Sequence, residues 1–311
     1  MSKIEDALRK ARSVGPMRGK SPATGTALQP LPRHIQVTSG ENLEDAFAAA
    51  NKQLARMGDS WFLSEVERAE NRIIFPEMND ERVANAFRDL RTKVLERSGD
   101  RNCSVVICGV TEHCGASFVA LNLAVAFSFD ESRTALLIDC DIANPAFDNL
   151  LKDDRGGLGI TDFFEREDVK IEQIIHPVGI RKLRLIPAGA ERKGTVEYFT
   201  SRKIRTLLKA SQQRYPDRYI IINSPPVAQS ADTRILASLA DLVLLVVAYG
   251  STTEQQIIDA AKVVKPEKLL GIVFNDEPQI PRLNWKETLK RGVGRMLRSL
   301  VPHRKSSGPK N

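Results

Sequence analysis

The sequence predicts an α/β fold: a mostly parallel P-loop sheet with helices on both faces, a flexible N-terminal extension and a basic C-terminal tail. Three observations carry this. Short apolar runs recur at 104–109, 134–139, 183–187, 219–223, 242–248 and 269–274, with helical stretches between most of them. The runs are continuous Val, Ile and Leu rather than alternating, which marks strands buried on both faces. Polar or glycine-containing motifs follow several of the strands, at the carboxyl ends where open sheets of this kind hold ligands.

The 311 residues are 42% hydrophobic and only 6% aromatic, which suits a globular protein and argues against an aromatic platform for single-stranded nucleic acid. Net charge is +7, so its distribution matters more than its sum. None of the four cysteines (Cys103, Cys108, Cys114, Cys140) forms a Cys-x-x-Cys pair, and three lie in or beside apolar runs. Buried, reduced thiols and a reducing compartment are expected.

The opening "MSKIEDALRKARSVG" has no apolar h-region. No stretch approaches the roughly 18 apolar residues of a membrane span. A cytoplasmic chain, peripheral at the inner membrane, is the expectation. Residues 2–12 read as a short helix with Ser2 as cap and Ile4, Ala7, Leu8 and Ala11 on one side. A Pro-, Gly- and Ser-rich linker follows, then a helical stretch over 43–57 whose Trp61-Phe62 end is placed to dock. The expected divisions are 1–75, helix plus linker; 76–280, the P-loop domain; and 281–311, the basic tail. No internal repeat is present.

The first site motif is "GVTEHCGASF", 109–118, between the strand "SVVIC" and the helix "VALNLAVAF". A phosphate loop works because backbone N–H groups converge on the anion at a helix N-terminus, lysine neutralises the outer phosphates and Ser or Thr ligates magnesium. Gly115 keeps the close approach and Ser117 keeps a magnesium hydroxyl. Val110 replaces the usual first glycine, Ala116 replaces the lysine, and Glu112 adds negative charge. His113 is a poor substitute for the lysine, because an imidazole, unlike an ammonium group, is not a dependable cation near neutral pH.

The second motif is the strand "TALLID" ending in Asp139-x-Asp141. Carboxylates at i and i+2 on an extended segment serve a metal together, divide into ligand and base, or cap the turn that follows. The third is "RYIIINSPPV", in which Asn223 stands where nucleotide hydrolases carry the aspartate that holds magnesium through water. An amide accepts a hydrogen bond but offsets no charge.

Together these motifs resemble the bacterial tyrosine kinases of capsule and exopolysaccharide synthesis, a branch of the ParA/MinD-like P-loop superfamily. "LLIDCDIANP" is similar to their "LLIDxDxxxP". "IINSPPVAQSADTRILASLADLVLLVV" is similar to their "IIDTPPV…DARILA…AD…LLVV", and "NAFRDLRTKV", 85–94, to "EAFRxLRTN". "LGIVFND", 270–276, matches their last core strand. The resemblance spans roughly 76–276. It implies ATP or ADP with magnesium as the nucleotide, bound weakly here. Gly115, Ser117 and Asn275 would contact it, Asn275 approaching the adenine. Ser117, Asp139 and Asn223 would hold the metal, Asp139 and Asp141 would be the catalytic carboxylates, and Arg88 and Arg91 would form a subunit contact. Asn85 replaces the glutamate of that contact. The C-terminal tyrosine cluster of the family is absent, the only tyrosines being Tyr198, Tyr215, Tyr219 and Tyr249.

Three readings follow: a catalytically degenerate regulator or scaffold of polysaccharide polymerisation and export, an active kinase or ATPase, or a partition-type protein binding DNA. The first implies a membrane chain-length regulator or an active kinase paralogue as partner, with homo-oligomers in prospect. The tail at 285–305 carries seven Lys and Arg around Leu289, Val293, Met296, Leu297 and Leu300. It reads as a helix packed on its own domain or lying on an anionic membrane surface; nucleic acid is not the expected partner.

Overall fold

The computed structural model describes residues 61–75, 78, 81–99, 101–151, 157–189, 198–214 and 217–276. The helical readings over 2–12, 43–57 and 285–300 lie outside them.

Among the described residues seven strands form one sheet in the order β3-β4-β2-β5-β1-β6-β7. Its central strands are β1 (Ser104–Gly109), β2 (Thr134–Asp139) and β5 (Arg218–Ser224), in which every residue is buried. Beside them run β4 (Leu183–Ile186), β6 (Leu242–Ala248) and β7 (Leu269–Asn275). All are parallel except β3 (His176–Pro177), a two-residue strand antiparallel to β4. The continuous apolar runs therefore mark parallel strands, as expected. The observed limits of the six longer strands fall within one residue of the expected ones.

Side chains alternate between two cores. Val105, Ile107, Leu137, Tyr219 and Leu244 face the layer of α2 (Glu81–Ser98) and α3 (Ala116–Ser128). Val106, Cys108, Ile138, Ile222 and Leu245 face α5 (Arg202–Arg214), α6 (Ala231–Leu239) and α7 (Glu254–Val263). The short α4 (Ile160–Glu165) lies between β2 and β4 in the chain. α3 is apolar almost all round, and ten consecutive residues from Val119 to Ser128 are buried. A helix of that kind belongs inside the protein, between the sheet and another helix.

The packed domain extends upstream of the boundary expected at residue 76. Ser64 caps α1 (Glu65–Glu70), and Glu67 reaches back to the Ser64 amide at 2.7 Å. α1 itself buries nothing. It is held by its flanks: Ile73 and Ile74 are each only 2% exposed, and Leu63 N–H donates to the Gly179 carbonyl at 2.9 Å. Trp61 lies across Gly179, where a Cβ would stand 2.2 Å from the indole and φ is +68°. Only glycine satisfies both demands there. Phe62, by contrast, stays exposed.

Candidate functional site

The loop between β1 and α3 has phosphate-loop geometry. Val110 N–H donates to the Val246 carbonyl at 2.9 Å, which fixes the start of the loop against β6. His113 (φ 54°) and Gly115 (φ 85°) adopt the left-handed conformation that turns the chain into the helix. Gly115 is the N-cap of α3 and supplies no side-chain cap. The backbone amides of the first turn are thus placed as an anion cradle. Ala116 and Ser117 are half-buried in that turn.

Asn275 sits on the loop. Its Nδ2 donates to the Cys114 carbonyl at 3.1 Å, and a Cβ on Gly115 would stand 2.0 Å from the same nitrogen. The residue that the resemblance aims at an adenine here holds the loop by its own side chain.

Asp139 ends β2 directly beside Asn223 of β5, as Cα partners in register. Asn223 Nδ2 donates to Asp139 Oδ1 at 2.9 Å, and the Asp141 amide donates to the same oxygen at 3.2 Å. Asp139 Oδ2 accepts from the Ala146 amide at 2.9 Å. Both oxygens of this fully buried carboxylate are thus engaged in holding 140–146. Asp141 does similar work, accepting from the Asn144 amide at 3.1 Å. Ser117, Asp139 and Asn223 all lie at the carboxyl end of the sheet.

Burial pushes the Asp139 carboxyl up to about 6, against the pull of the amides of Ala146, Asn223 and Asp141. Burial also raises Asp141, with the charge of Glu112 adding to it. Asp141 thus stands within electrostatic reach of Glu112 in a loop that has lost its lysine. Burial drives Cys103 and Cys108 to about 12 and raises Cys114 and Cys140, so no thiolate nucleophile is available near neutrality. All four thiols are buried and free, as their apolar surroundings imply.

The fit to magnesium and a nucleotide can be judged from these residues. The backbone cradle fits a phosphate. Asn223 Oδ1, buried without a hydrogen-bond partner among the described residues, fits a water of the kind a metal carries. The charges do not fit: there is no loop lysine, Asn223 is neutral, and the Asp139 oxygens already hold the backbone. Mg–ATP turnover is not supported by this set.

The half-buried Arg88 donates to Asn85 Oδ1 at 2.7 Å. Arg91 donates to the Ala126 carbonyl at 2.9 Å, near the C-terminus of α3. The family's subunit arginines here make contacts within the chain. One residue that sequence reasoning missed is Asn122, fully buried on α3, which binds the 72–74 segment through both ends of its amide. Its signal was a lone polar residue in an apolar helix.

No family model matches the chain. Relatives do. The putative tyrosine-protein kinase EpsB of Ralstonia solanacearum is 31% identical over 199 residues, covering 63% of this chain and 26% of that protein. The tyrosine-protein kinase YwqD of Bacillus subtilis (strain 168) is 28% identical over 192 residues, 61% of this chain and 79% of that one. The match thus spans about a quarter of the Ralstonia relative. Among solved structures, the BceF tyrosine kinase domain is 25% identical with a TM-score of 0.56, covering 77% of this chain and 98% of that one. The kinase domain of the Escherichia coli tyrosine kinase ETK, at 19% identity, has a TM-score of 0.57 and covers 71% and 91%. The chain's relatives are bacterial tyrosine-protein kinases, and its fold is theirs.

Proposed function

We propose that this relative of the bacterial tyrosine kinases is a catalytically degenerate member, acting as a regulator or scaffold of exopolysaccharide or capsule polymerisation and export. The observation that carries it is the direct Asn223–Asp139 hydrogen bond at 2.9 Å. In a phosphoryl-transfer site these two positions face a cation, and their like charges require one. An amide at 223 removes that requirement and turns the pair into a brace for 140–146. Loss of the loop lysine acts in the same direction: removing one preorganised donor costs on the order of 10²–10³ in rate. Among the described tyrosines, Tyr198 and Tyr219 are buried, leaving Tyr249 half-exposed and no acceptor cluster.

In this reading the chain keeps the folded domain, rather than its chemistry, as what a partner recognises. The partner is a membrane chain-length regulator or an active kinase paralogue, and the site of action is the cytoplasmic face of the membrane. Among the described residues no helix is long and apolar enough to cross a membrane.

The test is incubation with labelled ATP and magnesium followed by phosphotyrosine mapping, with equilibrium binding of ATP and ADP in parallel. No phosphotyrosine is expected, and no gain in nucleotide affinity on adding magnesium. Stoichiometric label that Asp139→Ala abolishes would overturn the proposal. A Ser117→Ala allele is expected to support polymer output like the unaltered gene, because a scaffold needs no metal hydroxyl.

A further inference from the structure

A cleft lies at the opposite end of α3 from the phosphate loop. The loop opens the helix at Ala116, and the cleft takes its wall from Val125, Ser128 and Phe129. Thirteen helical residues at 1.5 Å each separate the two by roughly 20 Å. The cleft encloses about 250 Å³, below the roughly 300–1,000 Å³ of sites for drug-sized ligands, so it suits a side chain rather than a cofactor. Its lining is apolar, with Ile73, Ile74 and Phe129, but two arginines, Arg68 and Arg181, stand among these residues.

The surroundings call for an occupant with an aromatic ring and negative charge. Phe62, part of the lining, is 59% exposed, and Val66 on α1 is 66% exposed. Arg68 Nε is buried without a hydrogen-bond partner among the described residues. Lys182 is held below its ordinary range first by burial and then by the charge of Arg181, with Asp130, Glu131 and Asp217 offsetting part of it. Lys182 spends its own donors on the carbonyls of Asp130 and Glu131.

Only one stretch of either terminal segment has the matching chemistry. Phe47 is the sole aromatic residue of the first 60, and Glu41, Glu44 and Asp45 precede it within six residues. The C-terminal segment has Trp285, but its one neighbouring acid, Glu287, stands among Lys286, Lys290, Arg291 and Arg295, a net charge that two arginines repel. Thirteen residues, 48–60, join Phe47 to Trp61. They span about 45 Å extended or about 20 Å as a helix, and Phe62 already borders the cleft, so either form reaches.

We propose that the segment Glu41–Phe47 of this chain docks in the cleft. The Phe47 ring fills the apolar floor, and the Glu44 and Asp45 carboxylates meet Arg68 and Arg181. The N-terminal extension is then anchored to the domain at the end remote from the phosphate loop. A partner seeking this face must displace it. This inference is independent of whether the nucleotide site is active.

The experiment replaces Phe47 by the photo-cross-linker p-benzoyl-phenylalanine in the full chain and maps the adducts by mass spectrometry. Adducts within one chain to 61–75 and 125–129 are expected. Arg181→Glu is expected to lower their yield about two- to fivefold, as is Glu44→Lys with Asp45→Lys. Combining the two reversals restores the yield. Arg181 is exposed and 44–45 precede the packed residues, so intact folding of the variants is confirmed by their unchanged melting. Adducts only elsewhere, adducts only between copies, or a yield indifferent to the charge reversals would each overturn the proposal.

Discussion

Asn122→Ala is expected to destabilise the domain by about 2–4 kcal/mol, since each buried backbone group left without its partner costs about 1–3 kcal/mol. Asn122 is fully buried in α3. Its Oδ1 accepts from the Ile74 amide at 2.8 Å. Its Nδ2 donates to the Arg72 carbonyl at 3.0 Å and to the Phe118 carbonyl at 3.1 Å. The Phe118 carbonyl keeps its helical partner in the variant, but the Ile74 amide and the Arg72 carbonyl do not. Among the described residues the segment's other backbone bonds, from the Arg72 and Ile73 amides to the Ala69 and Arg68 carbonyls, do not replace them. A domain of this size then melts about 5–15 °C lower. In urea the midpoint falls at an unchanged slope, and hydrogen exchange at Ile74 accelerates more than in the sheet. A loss under about 0.5 kcal/mol would show that residues 72–74 find other partners, at the level of an ordinary surface change. Ile73 and Ile74 line the cleft beneath Phe62, so the variant also loosens the surface proposed to receive Phe47.

How much of this was legible depends on how local each feature is. The six longer strands were readable because burial on both faces is written residue by residue as Val, Ile and Leu. β3 was not: two residues, one of them proline, carry no period, and only β4 makes them a strand. Residues 61–75 fall within the expected extension, and "EVERAE" shows no apolar face to place them elsewhere. Their anchors are Trp61 on Gly179 and Ile74 on Asn122, contacts 118 and 48 residues apart in sequence. The positions of Ser117, Asp139 and Asn223 were readable, since ligand residues follow strand ends. The hydrogen bond between Asp139 and Asn223 was not, because it needs β2 and β5 to be neighbours in a register that pairs those residues. Arg91, which the motif names as a subunit contact, donates to the Ala126 carbonyl of the next helix, a bond that likewise needs the packing of two helices.

Asn223→Asp is expected to cost about 2–4 kcal/mol near neutral pH without divalent cations, because it sets a second buried carboxylate against Asp139 in place of a hydrogen-bond donor. The pH dependence follows from the direction of the shift. Burial already holds Asp139 at about 6 in the folded protein, above its ordinary value of 3.8. A group raised in this way gives its full stabilisation below the unfolded value and loses it as pH rises through the folded one. The substitution removes the Asn223 donor that favours ionised Asp139 and adds a like charge, so the pair titrates higher still. The deficit relative to the unaltered protein is therefore small near about pH 4 and grows through about pH 6 and above. Melting curves across that range, in chelator, measure it. A variant as stable as the original at about pH 7.5 would mean that the Asp139–Asn223 bond does not hold the site together. Magnesium separates a merely broken brace from a restored site. In Ala116→Lys with Asn223→Asp, the carboxylate pair regains a reason to bind a cation and the cradle regains its lysine. Millimolar magnesium is then expected to recover most of the lost stability and to bring measurable ATP binding with it. If neither returns, the closure lies in the loop itself. Asn275 is then the residue to remove next, because its amide sits on Cys114 and Gly115 where a phosphate would approach.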